Sequence, residues 1–241
     1  MKPAAGAVLP VTVSQIVDEG SEARTFRLAI PEGDAFSFRP GQFVVAALPG
    51  RPDERRPYSI SSSPLETEFI EITVGRSGGV GTRLFALEGG ETLLISGPQG
   101  AWQFRDEDRS AVLLCANIGL APLRSMIRYV LDKGLPNNLA LLYAVKKPSC
   151  VLYRQELKDF ARQGVKVHVT LTDADVLSMD EPWDGAKGPI ALKDIRRIVK
   201  DYKSSVYYLC GPQQFVDAWA NDLCKAGIDA DAVLASGWGE F

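Results

Sequence analysis

The chain has 241 residues and a formal net charge of −3 at pH 7, with 46% hydrophobic and 24% charged residues. This length and composition fit a globular protein of one large domain or two domains of about a hundred residues each. Because the charge is slightly negative and no long basic run occurs, nucleic acid is not an expected partner. No apolar stretch approaches the roughly 20 residues that span a bilayer, and the N-terminus lacks the apolar core of a secretory signal, so we expect a cytoplasmic protein without a membrane span.

The first half of the chain, from Val8 to about Phe104, alternates short strand patterns with turns such as Pro40-Gly41 and Gly97-Pro98. Many short strands at this spacing predict a small antiparallel β-barrel of the Greek-key type, since closure removes exposed strand edges. The strand candidates lie around Val11 and Val13 and at Thr25–Leu28, Phe43–Leu48, Phe69–Val74 and Thr92–Ile95.

One segment of this half, Arg56-Pro57-Tyr58-Ser59-Ile60, alternates an arginine, an aromatic ring and a hydroxyl. On an extended segment Arg56 and Tyr58 would share one face and Ser59 would lie on the other. The grouping suits a flavin, with a guanidinium for phosphate, a ring to stack on the isoalloxazine and a hydroxyl for its redox nitrogen. The alternative is a strand edge bounded by proline and followed by a serine-rich turn.

A second segment, Gly78-Gly79-Val80-Gly81-Thr82, is typical of a glycine-rich entry to a short helix. Exposed amides there, with the Thr82 hydroxyl, would hold a diphosphate. A flexible hairpin loop is the alternative.

The pattern changes after the charged run Arg105–Arg109. Ala111–Ala116 is a continuous apolar run, as in a parallel strand covered on both faces, and a helical stripe follows with Pro122 in its first turn. Further buried strands alternate with helices, which predicts a doubly wound parallel sheet. We therefore expect a barrel domain over residues 1–105 and an α/β domain over residues 106–241.

In an open α/β sheet, ligands bind beyond the carboxyl ends of the strands. Asn117, Gly119 and Pro122 follow the first strand of the second half; Gly119 would let backbone approach a pyrophosphate, and the helix starting at Pro122 would offer its positive end. The alternative is an ordinary strand-to-helix loop. Cys210, Gly211 and Pro212 follow the last predicted strand, where the thiol would pack against a nicotinamide, or would be a buried cysteine before a helix.

The cysteines and the single histidine of this sequence do not have the spacing of a metal site or of a hydrolase active site. The four cysteines, Cys115, Cys150, Cys210 and Cys224, lie far apart in apolar segments, so we expect scattered buried thiols and no zinc or iron–sulfur site. The single histidine, His168, reads as a strand residue on a polar face. One histidine and no G-x-S-x-G sequence argue against a Ser-His-Asp hydrolase.

Taken together, these segments resemble the ferredoxin–NADP⁺ reductase superfamily, whose members join a flavin-binding barrel to a pyridine-nucleotide domain. The resemblance runs from about Val11 to Phe241. The family's R-x-Y-S, glycine-rich phosphate segment, nucleotide loop and C-G-P stand here as Arg56–Ser59, Gly79–Thr82, Ala116–Pro122 and Cys210–Pro212.

The resemblance implies FAD as cofactor and NADH or NADPH as electron donor. Arg56 would pair with flavin phosphate, Tyr58 would stack on the ring and Ser59 would hydrogen-bond near N5. Thr82 and adjacent amides would take the diphosphate, and Cys210 would line the hydride-transfer site.

The chain departs from the family at two places. Ala116 and Asn117 replace the usual paired glycines of the nucleotide loop, so the nucleotide would bind more weakly, or the Asn117 amide would contact it. At the C-terminus, Trp238 or Phe241 would shield the flavin and Glu240 would place a carboxylate near the nicotinamide; a frayed terminus is the alternative. With Ser59 and Cys210, Glu240 completes the candidate catalytic residues.

The choice between NADH and NADPH as electron donor, and the identity of the electron acceptor, depend on fewer residues. Asp173 and Asp175 follow the third strand of the α/β domain and would repel a 2′-phosphate, which favours NADH, whereas Lys146 and Lys147 would favour NADPH unless they are merely solvated. The expected function is an FAD-dependent NAD(P)H oxidoreductase that passes electrons to a separate acceptor, such as a ferredoxin, a cytochrome or an oxygenase component. The alternatives are a flavin-containing electron-transfer or regulatory subunit, a flavin or quinone reductase, and a flavin-free binding module.

Overall fold

A computed structural model describes residues 8–33, 35–51, 53–76, 78–173 and 181–238. The chain divides into two compact units. The first, here called the barrel unit, contains the described residues up to Phe104 together with Arg124–Lys133. The second, the sheet unit, contains Arg105–Leu123 and the described residues from Gly134 onward.

Six antiparallel strands form the barrel unit, in the spatial order β4-β3-β6-β1-β2-β5. The two edge strands of this order meet, because Ile60 bridges Ile72 and the Ser61 amide donates to the Glu71 carbonyl at 2.7 Å. The predicted antiparallel barrel is confirmed. The strands are β1 (Val8–Asp18), β2 (Ala23–Ala29), β3 (Phe43–Ala47), β4 (Arg56–Ser59), β5 (Phe69–Gly75) and β6 (Thr92–Gln99).

Alternating side chains fill the barrel. On β1, Val11 and Val13 are buried while Thr12 and Ser14 are exposed, which is the period of two expected for a strand with one buried face. Helix α1 (Gly78–Phe85) follows β5, so the glycine-rich segment is helical and the hairpin alternative is wrong. The core is built mainly from Val11, Val13, Phe26, Leu28, Val44, Ile60, Ile70, Ile72, Val74, Leu84, Leu93 and Ile95.

The sheet unit contains six parallel strands in the order β10-β9-β8-β7-β11-β12, connected by helices, which confirms the predicted doubly wound sheet. The strands are β7 (Ser110–Ala116), β8 (Asn138–Val145), β9 (Lys166–Leu171), β10 (Ala186–Lys187), β11 (Val206–Pro212) and β12 (Val233–Trp238). The helices are α2 (Leu120–Lys133), α3 (Arg154–Arg162), α4 (Leu192–Ile198) and α5 (Gln213–Lys225). By the division above, the last ten residues of α2 belong to the barrel unit.

Two strands of this sheet have no counterpart in the prediction. Strand β10 has only two residues, too few for a periodic pattern. Strand β12 carries small residues and Gly237 and is half-buried, so it lacks the apolar run of its neighbours. Because Gly237 and Trp238 pair with Gly211 and Pro212, the frayed reading is wrong for these two residues.

The expectation that all four thiols are buried is wrong for two of them. Cys115 and Cys210 are buried, Cys150 is half-buried and Cys224 is exposed. On α5, Cys224 follows the buried Leu223 and is rotated by about 100° from it, off the apolar face. Within the described ranges, no helix is long and apolar enough to cross a membrane. Nor does any group of three or more His, Cys, Asp or Glu side chains there form a candidate metal site.

The turn before β3 depends on a glycine. Gly41 has φ of +100°, and a Cβ at this position would lie 2.5 Å from the Trp102 carbonyl oxygen. Gly33 also has a positive φ, +88°, but a Cβ there would meet no atom within 4 Å. The two glycines share the left-handed backbone and differ in available space.

This difference predicts unequal costs of the same substitution. We expect Gly33→Ala to lower the free energy of unfolding by about 1 kcal/mol, the cost of a left-handed alanine. We expect Gly41→Ala to lower it by about 1–3 kcal/mol more, because a backbone oxygen must also move. Urea unfolding of both variants measures this difference, and equal losses would contradict the close contact.

Candidate functional site

The R-x-Y-S segment forms strand β4, as its predicted extended conformation requires. It pairs antiparallel with β3, with Phe43 opposite Ser59 and Val44 opposite Tyr58. Arg56 and Pro57 are exposed, Tyr58 and Ser59 are half-buried, and Ile60 is buried in the core. The segment therefore presents its polar groups at the barrel surface while its carboxyl end is anchored inside.

Tyr58 packs its ring against the barrel core. Burial raises the pKa of its phenol to about 12, more than offsetting the opposite influence of the Arg56 charge. The phenol is therefore neutral at ordinary pH, which suits a stacking role.

Arg56 extends from the same strand. Its Nη1 donates to the neighbouring Arg55 carbonyl at 2.9 Å. Within the part of the chain that the structure describes, Arg56 forms no ion pair. Its charge remains available to an anionic ligand such as a phosphate.

Helix α1 places the second candidate phosphate segment in the same unit. Its first amides, from Gly78 onward, have no partner within the helix. A Cβ on Gly81 would lie 2.8 Å from the Gly75 carbonyl, so glycine lets the helix pack on the end of β5. Gly79 and Thr82 are exposed, and Thr82 lines a cleft of about 540 Å³ with Arg24 and Arg76.

Ion pairs connect this helix to the loop before β4. The Glu54 carboxylate accepts from Arg51 Nη1 at 3.0 Å and from Arg83 Nη2. Glu54 lies two residues before Arg56, and Arg83 follows Thr82. The contact therefore links the loop that precedes Arg56 to the helix whose amides are the other candidate phosphate ligands.

A buried polar cluster beside β4 was missed by sequence reasoning. Ser61, Ser62 and Ser63, which read as a serine-rich turn, are all 0% exposed. Glu71 and Thr73 on β5 alternate with apolar residues, and that pattern is typical of a solvent-facing row; instead they are buried against the serines. The Glu71 carboxylate pairs with Arg27 and Arg124, at 2.8 and 2.7 Å.

The backbone of the candidate nucleotide loop shows why Ala116 and Asn117 can stand where the resemblance leads one to expect two glycines. Ala116 is extended, with φ −126° and ψ 142°, and needs no glycine. Asn117 has φ of +51°, in the left-handed region that asparagine tolerates better than most side chains. The turn Asn117–Gly119 then leads into α2, whose first turn contains the predicted Pro122.

Gly119 is buried against the end of β11. A Cβ on Gly119 would lie 2.3 Å from the Cys210 carbonyl oxygen and 3.1 Å from the Gly211 amide nitrogen. Contact with protein backbone therefore accounts for this glycine without a ligand. The same contact brings the predicted loop Asn117–Gly119, which follows β7, together with Cys210 and Gly211 near the carboxyl end of the adjacent strand β11.

Cys210 is only 2% exposed and pairs along the sheet with Cys115 and Ser236. Burial raises the pKa of its thiol well above the usual range, so the group is a neutral thiol. It can act as a packing surface but not as a thiolate nucleophile.

The remaining predicted residues are placed as follows. Asp173 follows β9, and its amide donates to the Lys146 carbonyl at 3.1 Å, so the acidic and basic candidates for nucleotide choice lie side by side. Glu240, Phe241 and Asp175 lie outside the described residues.

Comparisons with known proteins match both units. Residues 10–104 match the family model for the oxidoreductase FAD-binding domain, and residues 113–221 match that for the oxidoreductase NAD-binding domain. The FAD/NAD-binding domain of nitric oxide dioxygenase from Vibrio cholerae has a similar fold, with a TM-score of 0.84 at 22% identity, covering 96% of this chain and 99% of that one.

Two curated relatives are similar in sequence. The glycine betaine monooxygenase reductase subunit of Chromohalobacter salexigens is 30% identical over 222 residues, which cover 89% of this chain and 60% of that protein. The sulfhydrogenase 1 subunit gamma of Pyrococcus furiosus is 31% identical over 223 residues, covering 88% of this chain and 72% of that protein. The chain spans about 60% of the length of the monooxygenase reductase subunits that it matches.

The left-handed conformation of Asn117 predicts which substitutions the nucleotide loop tolerates. We expect Asn117→Gly to keep the free energy of unfolding within about 1 kcal/mol and the NADH dissociation constant within about twofold, because glycine adopts the same φ. We expect Asn117→Val to lose about 1–3 kcal/mol of stability, because a β-branched residue is strained there. Chemical unfolding and NADH titration measure both. Much weaker NADH binding by a fully stable Asn117→Gly variant would instead support the amide contact.

Proposed function

Since the chain belongs to the ferredoxin–NADP⁺ reductase-like family of flavin oxidoreductases, we propose that it is an FAD-dependent NAD(P)H oxidoreductase that passes electrons to a separate acceptor. The observation that carries the proposal is the succession of an FAD-binding and an NAD-binding domain match in one chain. We propose that residues 1–105 supply the FAD site and residues 106–241 the nucleotide site. The proposed location is the cytoplasm, as the expected source of NAD(P)H.

In the barrel unit, the residues present fit a flavin. The exposed guanidinium of Arg56 and the first amides of α1 would hold its phosphates, and the ion pair Glu54–Arg83 would keep these two elements together. The neutral ring of Tyr58 would stack on the isoalloxazine, and the half-buried Ser59 would hydrogen-bond near N5. When bound, FAD supplies the electron-accepting chemistry, while these side chains bind and orient it.

In the sheet unit, the turn Asn117–Gly119 and the start of α2 would take the pyrophosphate of the nucleotide. Cys210 would give the nicotinamide an uncharged packing surface. Pro212 leads into α5, as expected, but the space beside Gly211 that the sequence suggested for a ligand is taken by the Phe215 ring. Glu240 and Phe241 stay predicted parts of this site.

We propose NADH as the preferred donor. The Asp173 carboxylate lies just beyond β9 and would repel a 2′-phosphate while accepting hydrogen bonds from a ribose diol. The Lys146 carbonyl accepts from the Asp173 amide, but the Lys146 side chain is exposed, as expected of a solvated lysine.

The proposed acceptor is a separate redox protein of an oxygenase system, since one relative is named as a monooxygenase reductase subunit. A second candidate function is that of an electron-transfer subunit within a larger complex. The relative named as a sulfhydrogenase gamma subunit favours it, because 72% of that protein aligns with this chain.

The proposed function predicts a defined spectroscopic result. We expect the purified protein to take up FAD and, under anaerobic conditions, to lose the visible flavin band faster with NADH than with NADPH. Asp173→Ser should narrow the difference between the two donors, since it removes the repelling charge. Stopped-flow absorbance measures these rates. A protein that stays colourless after FAD is added would refute the flavoprotein assignment, and a bound flavin that NAD(P)H does not reduce would favour the subunit function.

Stacking by Tyr58 predicts a contrast between two substitutions. We expect Tyr58→Ala to raise the FAD dissociation constant about tenfold, because an aromatic pair contributes roughly 0.5–1.5 kcal/mol beyond its buried area. Tyr58→Phe keeps the ring and should bind FAD within about twofold of the unaltered protein. Fluorescence titration of folded protein measures both constants. Equal affinities for Tyr58→Ala and Tyr58→Phe would remove Tyr58 from the stacking site.

A further inference from the structure

The segment that follows β4 is held from two directions inside the barrel unit. From β5, the Glu71 amide donates to Ser62 Oγ at 2.9 Å and the Thr73 hydroxyl donates to Ser61 Oγ at 3.2 Å. The Ser61 amide donates in turn to the Glu71 carbonyl at 2.7 Å. Strand β5 therefore holds the hydroxyls of Ser61 and Ser62 and the amide of Ser61, three polar groups of the serine run Ser61–Ser63.

Helix α2 holds the carbonyl groups of the same run. Arg124 Nη1 donates to the Ser61 carbonyl at 3.0 Å, and the Ser125 hydroxyl donates to the Ser62 carbonyl at 2.7 Å. Arg124, Ser125 and both serines are buried, so water does not compete for these bonds.

The Arg124 guanidinium is itself fixed by Glu71. The same Nη1 donates to Glu71 Oε2 at 2.7 Å, and the two residues are 8% and 4% exposed. The other carboxylate oxygen, Oε1, accepts from Arg27 Nε and Nη2 at 3.1 and 2.8 Å. Glu71 therefore has both carboxylate oxygens engaged, one by Arg124 and the other by Arg27.

We propose that Glu71 is a positioning residue for the flavin-binding strand, acting through Arg124 on the serine run and so on Tyr58 and Ser59. The inference rests on the proposed flavoprotein function. Only Ile60 separates Ser61 from Ser59, so the Ser61 carbonyl that Arg124 bonds lies about 7 Å along an extended chain from Ser59. Removing the Glu71 charge takes away the carboxylate that pairs with the buried Arg124 guanidinium at 2.7 Å, and the guanidinium is then expected to move and release the Ser61 carbonyl.

The neighbouring ion pair offers a matched control. Arg128 Nη2 donates to Glu66 Oε1 at 2.7 Å, and Arg128 also approaches Glu71 at 3.7 Å. Glu66→Gln and Glu71→Gln thus remove the same charge from one group of arginines. Of the two carboxylates, Glu71 is the one that bonds Arg124.

The experiment compares these two variants in the full chain. We expect Glu71→Gln to speed amide hydrogen exchange in the peptide that covers residues 56–63, measured without FAD. We also expect it to raise the FAD dissociation constant about tenfold and to alter the visible circular dichroism of the bound flavin. Glu66→Gln should leave the exchange rate and the FAD dissociation constant within about twofold of the unaltered protein, and the circular dichroism of the bound flavin unchanged. If Glu71→Gln does not fold, Ser125→Ala replaces it, because that change removes a single donor to Ser62 and should shift the same three quantities in the same direction.

The outcomes separate the two proposals. Unchanged exchange at residues 56–63, or equal effects of Glu66→Gln and Glu71→Gln on FAD binding, would overturn the positioning role while leaving the flavoprotein function intact. A role confined to stability would lower the free energy of unfolding but leave the circular dichroism of the bound flavin unaltered, and this would also overturn it. Failure of the unaltered protein to bind FAD would overturn the proposed function, and this inference with it.

Discussion

The ion pairs of the buried Glu71 carboxylate with Arg124 and Arg27 are the central interaction of the polar cluster that follows the candidate flavin strand. A charged carboxylate inside a protein is costly unless it is paired and hydrogen-bonded. Burial alone would raise the pKa of Glu71, but the Arg124 and Arg27 guanidinium groups more than offset this, so the pKa lies below its usual value. The contribution of this group to stability is therefore present at neutral pH and is lost as the pH falls from the usual glutamate value through the lower value of the folded protein.

The sheet unit relies on a different constraint, which is close approach of backbone. Gly119 lies where the loop after β7 meets β11, and a Cβ there would come within 2.3 Å of the Cys210 carbonyl oxygen. Gly211 lies on β11 itself, where a Cβ would be 3.4 Å from the Ala116 backbone nitrogen and 3.0 Å from the Phe215 ring. Asn117 supplies the left-handed turn that leads into this contact. Protein contacts therefore account for the shape of the candidate nucleotide loop.

Much of the architecture is readable from the sequence because it depends on local patterns. The apolar run Ala111–Ala116 and the stripe after Pro122 gave β7 and α2, and period-two alternation gave most of the barrel. The R-x-Y-S segment and the glycine-rich segment at Gly78 stand out because their residue types are unusual at such spacing, although the second segment fits a hairpin loop as well as a helix. These features involve neighbours in the chain, so no tertiary knowledge is needed to find them.

The unpredicted features depend on residues far apart in the chain. Glu71 occupies the polar row of an alternating strand, and its partner Arg124 lies 53 positions later on a helix. Neither residue has a local pattern that distinguishes it from a surface charge. Likewise, Gly119 reads as a ligand-facing glycine, whereas the structure shows that its missing side chain makes room for the backbone of Cys210.

The unequal exposure of the thiols has a practical consequence for spectroscopy. Cys115 and Cys210 are buried, and burial raises the pKa of both thiols, which makes them slow to react with alkylating reagents. Cys224 lies exposed near the end of α5, away from the buried face of that helix. A maleimide-linked fluorophore would therefore attach preferentially at this position, giving a reporter of the α/β portion that leaves the cysteine beside the proposed nicotinamide site untouched.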